Sequence, residues 1–170
     1  SYVVGGIIPE LHTNANYKTD KYFIAELDES DGTIVKYNPQ ILVINNLEAD
    51  HLDFYKKGLD SLVETFEQLL SKFDGSQKVL INNDSAGNLK LKGYNFITYG
   101  LNDADYVAKN IDLTPTGSTF DVYHKGEKLT SMRIKLLGKH NVSNALGVLA
   151  SLHQAGVDLE KVVEHFATFT

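Results

Sequence analysis

Two clusters of polar residues, each directly after a short apolar run, are the first candidates for chemistry. Residues 26–32 begin with Glu26 and read ELDESDG, and residues 45–53 include His51 and read NNLEADHLD. Open parallel sheets bind ligands beyond the carboxyl ends of their strands, which is where both clusters would lie. If the two strands are neighbours, the Glu26 carboxylate and the His51 imidazole could approach one divalent ion. Carboxylate and water ligands suit magnesium, while a single imidazole is tolerated more readily by manganese.

The acidic residues of these clusters could instead form a calcium loop or serve only to solvate turns. A calcium loop with Gly32 at its sixth position would place Leu27 first and Asn38 twelfth, and neither supplies the carboxylate that such a loop needs. The remaining acids fit better as residues that cap turns and solvate loops. These are Asp28, Glu29, Asp31, Glu48 and Asp53. Glu26 and His51 stay candidates because each follows a predicted strand.

A third polar feature, residues 138–144, reads GKHNVSN and leads into a run typical of a helix. The start of a helix carries free amide donors, and an asparagine side chain offers the paired donor and acceptor that match the edge of an adenine ring. Asn144 is therefore a candidate for reading a base. The alternative is that Asn141 only caps the helix while Asn144 faces solvent, and the residues by themselves favour that alternative.

Other catalytic arrangements are not supported. Ser30 and Ser143 have no neighbouring histidine and acid in a hydrolase pattern, and no G-x-S-x-G elbow is present. With no cysteine, disulfides, thiolate zinc sites and cysteine nucleophiles are excluded. The other four histidines show no paired ligand spacing and are expected to be surface or core residues. They are His12, His124, His153 and His165.

The size and charge of the chain fit one domain with a real core. The 170 residues are 42% hydrophobic, and the net charge of −6 offers no broad surface for nucleic acid. No apolar run approaches the roughly 20 residues that a membrane helix needs, and residues 1–4 do not resemble a signal peptide. We expect a cytoplasmic protein without a membrane or nucleic-acid partner. Because the chain starts at Ser1 rather than at methionine, we expect the functional protein to be larger.

The element pattern predicts an α/β fold. Four apolar runs without alternation are typical of strands buried on both faces; they are residues 22–25, 41–44, 79–81 and 96–99. Between the second and third runs, residues 59–73 show helical spacing of apolar side chains, with a stop at Asp74-Gly75. Strand, helix and strand in this order predict a mostly parallel sheet flanked by helices.

The second half of the chain has a different pattern. Residues 105–136 alternate around a turn at Lys125-Gly126, which predicts a small antiparallel hairpin region. A helix is predicted from about Asn141 to Gly156, and Asp158 can cap another.

Taken together, the three polar motifs resemble those of the Mur ligases, the ATP-dependent amide-forming enzymes of peptidoglycan synthesis. Residues 22–31 are similar to an apolar run followed by E-A-D-E-S-D, with Leu27 in place of alanine. Residues 46–53 are similar to N-I-E-A-D-H-M-D, and residues 138–145 to G-x-H-N-x-x-N-A. The order of the motifs also matches, and the resemblance spans nearly the whole chain. It implies that residues 1–170 are the central ATP-binding domain, with a fold like that of P-loop NTPases.

The resemblance implies a role for each matched residue. Glu26 and His51 would bind Mg²⁺, and Asn144 would contact adenine, while His140 and Asn141 shape that turn. The resemblance is greatest to the branch of the family that joins L-alanine to UDP-N-acetylmuramate through an acyl phosphate. The phosphate-binding loop of the family, G-T-x-G-K-T, has no match here and is expected upstream of Ser1, with further domains of the same chain on either side. The 170 residues alone are therefore expected to be inactive.

Several alternatives remain open at this point. Ligases that add later residues carry a carbamylated lysine where this chain has Phe66, which favours the alanine-adding branch. A recycling ligase that attaches a murein peptide to UDP-N-acetylmuramate usually has E-A-D-E-Y-D, so Ser30 argues against it. A metal-dependent hydrolase would need more convergent ligands. A non-catalytic module that binds nucleotide or protein would share the fold without metal dependence.

Overall fold

The computed structural model describes residues 1–18, 21–49 and 53–169. Its larger sheet has six strands in sequential order. They are β4 (Ile41–Ile44), β5 (Lys78–Asn82), β6 (Ile97–Gly100), β7 (Tyr106–Thr114), β8 (Gly117–His124) and β9 (Glu127–Ile134). Strands β4 to β7 pair in parallel, whereas β7, β8 and β9 pair antiparallel. The predicted α/β class and the three predicted strands after residue 40 are confirmed.

The helix α1 (Leu59–Leu70) covers one face of the parallel half of this sheet. Its apolar positions recur three and four residues apart and form one buried stripe, which packs against alternate side chains of β4 and β5. This core contains Leu42, Ile44, Leu62, Val63, Phe66, Leu69, Leu70, Val79 and Ile81. Phe66 is one of these buried side chains.

The helix α2 (Lys139–Gln154) covers the opposite face. Its buried side chains include Val142, Leu146 and Leu149, which pack with Leu80 of β5 and with apolar residues of β8 and β9. Gly156 has φ of 74° just after the helix, as predicted for its stop. Asp158 accepts a hydrogen bond from the amide of Glu160 at the start of a single 3-10 turn, and the short helix α3 (Val163–Phe166) follows.

The antiparallel strands β7 to β9 lie within the predicted residues 105–136 and form two hairpins. The turn at Lys125-Gly126 is confirmed, since both residues have positive φ, of 50° and 89°, as a tight turn between twisted strands requires. A second hairpin joins β7 to β8, where Thr114 pairs with Gly117. The pairing of Tyr99 with Tyr106 makes this region a continuation of the parallel sheet.

A second, smaller sheet has three strands in the order β2, β1, β3. They are β1 (Tyr2–Ile8), β2 (Thr13–Asn16) and β3 (Ile24–Ala25), and β3 runs parallel to β1. The prediction that residues 22–25 form a strand buried on both faces was wrong, because Phe23 and Ile24 are 70% and 62% exposed. The apolar run reflects a preference for extended backbone, but these two side chains remain largely exposed on the small sheet. Strands β1 and β2 were not predicted, since glycines and polar residues interrupt their apolar pattern.

No helix in the described part of the chain is long and apolar enough to cross a membrane.

Candidate functional site

An open cleft of about 910 Å³ lies where β4 and β5 end and α2 begins. Its walls come from the segments that follow β4, β5 and β6 and from the first turns of α2. The cleft therefore joins the beginning of the second sequence motif, at Asn46 and Glu48, to the third motif, at His140 and Asn144. This is the edge of a parallel sheet at which a ligand site is expected.

Residues after β4 form the first wall of the cleft. Asn45 accepts a hydrogen bond at its side-chain oxygen from the Tyr99 hydroxyl, at 2.7 Å. Tyr99 is buried below, and this burial raises the pKa of its hydroxyl, which therefore stays protonated as a donor. The Asn46 side chain donates to the Glu48 carboxylate at 2.6 Å and accepts from the Ser85 hydroxyl at 2.9 Å. These contacts fix the orientation of both asparagines.

Residues after β5 form the floor and connect three neighbouring segments. Asp84 accepts hydrogen bonds from the Leu101 amide and from the Asn102 side chain, which ties this floor to the residues after β6. Gly87 lies so close to the first wall that a Cβ atom there would be 1.8 Å from the Leu47 carbonyl oxygen. Only glycine fits at this position.

Asn88 is a buried amide directly beneath the cleft. Its side-chain nitrogen is 3.0 Å from the Asn82 carbonyl oxygen and 3.3 Å from the Asn45 carbonyl oxygen. Asn88 therefore links the ends of β4 and β5 through backbone oxygens that the sheet leaves unpaired. Its own side-chain oxygen is buried without a protein partner among the described residues. Sequence reasoning missed Asn88, since a lone asparagine in a loop gives no signal of burial.

The third motif forms the opposite wall. The helix begins at Lys139 with Gly138, at φ of 88°, as its N-cap residue, so Asn141 is inside the first turn rather than the cap. The Asn141 side chain instead donates to the Leu137 carbonyl oxygen at 2.8 Å and holds the turn before the helix. His140 and Asn144 are exposed, and both line the cleft.

Glu26 lies elsewhere, at the end of β3 in the small sheet. Its carboxylate accepts a hydrogen bond from the Gly5 amide at 2.6 Å, which points it back over β1. Because β3 and β4 belong to different sheets, the condition that the two strands be neighbours is not met. His51 lies outside the described residues. Within the described ranges, no group of three or more histidine, aspartate and glutamate side chains could hold a metal ion, and the Glu26 and His51 pair stays a prediction.

The first motif also contacts Phe54 and Tyr55, which follow the second motif in the chain, on the side of the molecule near α1. The Tyr55 hydroxyl donates to the Glu29 carbonyl oxygen, and burial raises the pKa of Tyr55, which keeps this donor protonated. A Cβ atom at Gly32 would be 2.9 Å from the Phe54 ring, so the two loops are in close contact. Leu27 packs against the core beneath α1.

His124, at the end of β8, and His153, in the last turn of α2, lie close together. The His124 ring stacks on Tyr106, with centroids 4.2 Å apart, and its centroid is 5.4 Å from that of His153. The Tyr106 hydroxyl is 2.6 Å from His153 Nδ1 and accepts a hydrogen bond from Gln154. Burial, followed by the charge of His153, lowers the pKa of His124. None of these residues lines the cleft.

The fold and the cleft define a domain of the kind that binds a ligand at the carboxyl ends of parallel strands, and comparison with known families gives the class. The family model described as the Mur ligase middle domain matches residues 7–152. The chain belongs to the Mur ligase family.

Individual relatives agree on one member of that family. The chain is 39% identical over 171 residues to UDP-N-acetylmuramate–L-alanine ligase of Dictyoglomus turgidum, covering 96% of this chain and 37% of that protein. It is 37% identical over 170 residues to the ligase of the same name from Gloeothece citriformis, covering 98% of this chain and 33% of that protein. The chain thus spans about a third of the length of these relatives.

Solved structures show the same fold. UDP-N-acetylmuramate–alanine ligase of Thermotoga maritima superposes with a TM-score of 0.81 at 28% identity, covering 97% of this chain and 37% of that one. The UDP-N-acetylmuramate:L-alanyl-γ-D-glutamyl-meso-diaminopimelate ligase of Neisseria meningitides also gives 0.81, at 24% identity, covering 99% of this chain and 57% of that one. The second likeness concerns the fold alone.

Proposed function

We propose that the chain is the nucleotide-binding central domain of a cytoplasmic ligase that joins L-alanine to UDP-N-acetylmuramate with consumption of ATP. The observation that carries this proposal is the cleft itself, in which Asn46 and Glu48 face His140 and Asn144 at the ends of parallel strands. Two motifs that are far apart in the sequence share one surface there. The names of the relatives supply the substrates.

The chemistry of the cleft fits a nucleotide. The 16-residue helix α2 directs free amide groups and the positive end of its dipole into the cleft, and Lys139 adds a positive charge. Asn144 can donate to and accept from the same edge of an adenine ring. We assign Asn144 to adenine recognition, and His140 and Asn141 to the shape of the turn that presents it.

The carboxylate and imidazole of Glu26 and His51 are ligand types that a divalent ion accepts. In the proposal these two residues hold Mg²⁺, which when bound offsets negative charge on the phosphates. Within the chain, the Gly5 amide holds one Glu26 oxygen, and this contact restricts the rotation of the carboxylate. Glu26 would thus be presented in a fixed orientation at the end of β3.

The complete reaction would take two steps in the longer protein. The muramate carboxylate oxygen takes the γ-phosphoryl group and ADP leaves; the amine of L-alanine then attacks the acyl carbon, displacing inorganic phosphate and losing a proton. The residues of this chain bind and orient the nucleotide, which lowers the barrier by positioning and charge rather than by a covalent bond to the protein. The 170 residues alone should not catalyse ligation.

The test is ATP-dependent joining of L-alanine to UDP-N-acetylmuramate by the full-length protein that contains this chain. Glu26→Ala and His51→Ala should each lower Mg²⁺-dependent turnover by at least about a hundredfold. Glu127→Ala, at the exposed hairpin turn, and the exposed His165→Ala are matched controls and should retain turnover. If the wild-type protein instead joins L-Ala-γ-D-Glu-meso-diaminopimelate, the substrate assignment is wrong. Normal Mg²⁺ dependence in both site variants would refute the metal assignment.

A further inference from the structure

The residue Asn82 connects the end of β5 to the first turns of α2, and no sequence motif drew attention to it. Its side-chain nitrogen donates to the Ser143 hydroxyl oxygen at 3.1 Å, and its side-chain oxygen accepts from the Asp84 amide at 3.0 Å. Ser143 is 7% exposed and directly precedes Asn144 in the helix. Both polar groups of one side chain are therefore used to fix two different segments of the cleft.

Among the described residues, the contact between Asn82 and Ser143 is the one side-chain hydrogen bond between the floor of the cleft and its α2 wall. The other polar contacts of the floor run to the first wall, through Ser85 and Asn46, or to the residues after β6, through Asp84. Apolar packing holds the middle of α2 on the sheet, where Gly147 lies against the Tyr99 ring. The hydrogen bond from Asn82 adds a directional contact at the exposed start of the helix, beside Asn144.

We propose that Asn82 is a positioning residue that sets the placement of Asn144 through Ser143 and thereby the selectivity of the cleft for adenine. This inference rests on the proposed nucleotide-binding function. Asn82 also lines the cleft, so its side chain is at the surface that a bound nucleotide would meet. Discrimination between bases depends on hydrogen bonds whose donors and acceptors must be placed within a few tenths of an ångström, and a small helix shift is enough to weaken them.

The experiment measures the dissociation constants of Mg-ATP and Mg-GTP by calorimetry in the full-length protein, without any catalytic turnover. Asn82→Ala should weaken ATP binding about tenfold and GTP binding much less, so that the preference for ATP falls. Ser143→Ala should do the same, because it removes the other partner. The double variant should bind ATP no more weakly than Asn82→Ala alone, since Asn82→Ala already lacks the hydrogen bond to Ser143.

Asn83→Ala is the matched control, because Asn83 is the next asparagine of the same loop but donates to the Asp103 carbonyl oxygen and does not line the cleft. It should leave both dissociation constants within about twofold, the range of a change that touches no ligand contact. If Asn82→Ala folds too poorly to measure, Ser143→Ala decides. Unchanged ATP preference in folded Asn82→Ala or Ser143→Ala refutes the positioning role while the proposed function stands. A wild-type protein that binds neither nucleotide refutes the proposed function itself.

Discussion

Two polar segments follow strands in this protein, one after β3 and one after β4, and their surroundings differ. Asn45 and Asn46 after β4 are held by side chains of β6 and of the β5 loop, and a buried amide supports them from below. Glu26 after β3 is held by one backbone amide of β1, beside apolar side chains that are largely exposed. The first segment is built into the core of the large sheet, whereas the second lies on a small sheet at its side.

The difference shows that a polar motif after a strand does not by itself predict how many hydrogen bonds fix its side chains. That number depends on the neighbouring strands, because each parallel neighbour adds another loop at the same edge that can supply hydrogen bonds. The cleft has three such loops and a helix start, and the end of β3 has β1 as its neighbour on one side. We therefore expect substitutions at the cleft to cost far more stability than equivalent ones on the small sheet.

The largest loss of stability is expected from a substitution at Gly87. A Cβ atom there would be 1.8 Å from the Leu47 carbonyl oxygen, so Gly87→Ala must displace backbone and should lower the free energy of unfolding by at least about 3 kcal/mol. Gly6→Ala on the small sheet is the control, since nothing lies within 4 Å of the Cβ position. Urea unfolding of the chain measures both.

The outcome for Gly6→Ala should be a change below about 0.5 kcal/mol. Equal losses in the two variants would contradict the comparison, because the small sheet would then be packed as tightly as the cleft.

An intermediate effect is expected at Tyr99. Tyr99→Phe keeps the buried ring against α2 but removes the hydroxyl that donates to Asn45, which leaves the asparagine oxygen without that donor. The free energy of unfolding should fall by about 1–2 kcal/mol. Tyr17→Phe, after β2, removes a hydroxyl from a side chain that is 79% exposed and should have almost no effect. A neutral Tyr99→Phe would show that the Asn45 contact contributes nothing to the stability of the cleft.

The smallest expected change in stability is its dependence on pH, and it arises at His124, which belongs to neither polar segment. The pKa of His124 is lowered by burial and by the nearby positive charges of His153 and Lys125, against the opposite influence of Asp105 and Glu127. Since the unfolded chain then binds the proton more tightly, the stabilisation is complete above about pH 6.5 and is lost as the pH falls through the lowered value. His124→Phe retains a ring beside Tyr106 and should flatten the loss of stability between about pH 7.5 and pH 5.

Thermal unfolding across this range, with wild type and variant in parallel, measures that slope. An unchanged slope in His124→Phe would assign the pH dependence to other groups.

Much of the large sheet could be predicted from the sequence because its signals are local. Short apolar runs gave β4, β5 and β6, helical spacing gave α1 and α2, and a glycine turn gave the hairpin after β8. The position of residues 45–48 at a cleft followed from a general rule about strand ends, whereas their sharing of that cleft with Asn144 was not predicted.

The remaining features depend on contacts between distant residues. Whether residues 22–25 are buried depends on what packs against them, which the run itself does not encode. The burial of Asn88 and the approach of His124 to His153 arise only when separate strands and α2 are assembled. The bond from Asn82 to Ser143 likewise joins residues far apart in the chain.

The large sheet changes from parallel to antiparallel pairing at β7, and the two halves therefore differ in the entropy needed to form them. In the antiparallel half, Thr114 meets Gly117 and His124 meets Glu127 across turns of two residues. In the parallel half, Ile41 meets Lys78 only after the whole α1 crossover has been closed. Loop closure becomes more costly with the length of the loop, so early strand pairing is cheapest around β8. The half of the sheet that carries the cleft is the half whose first contacts have the greater entropic cost.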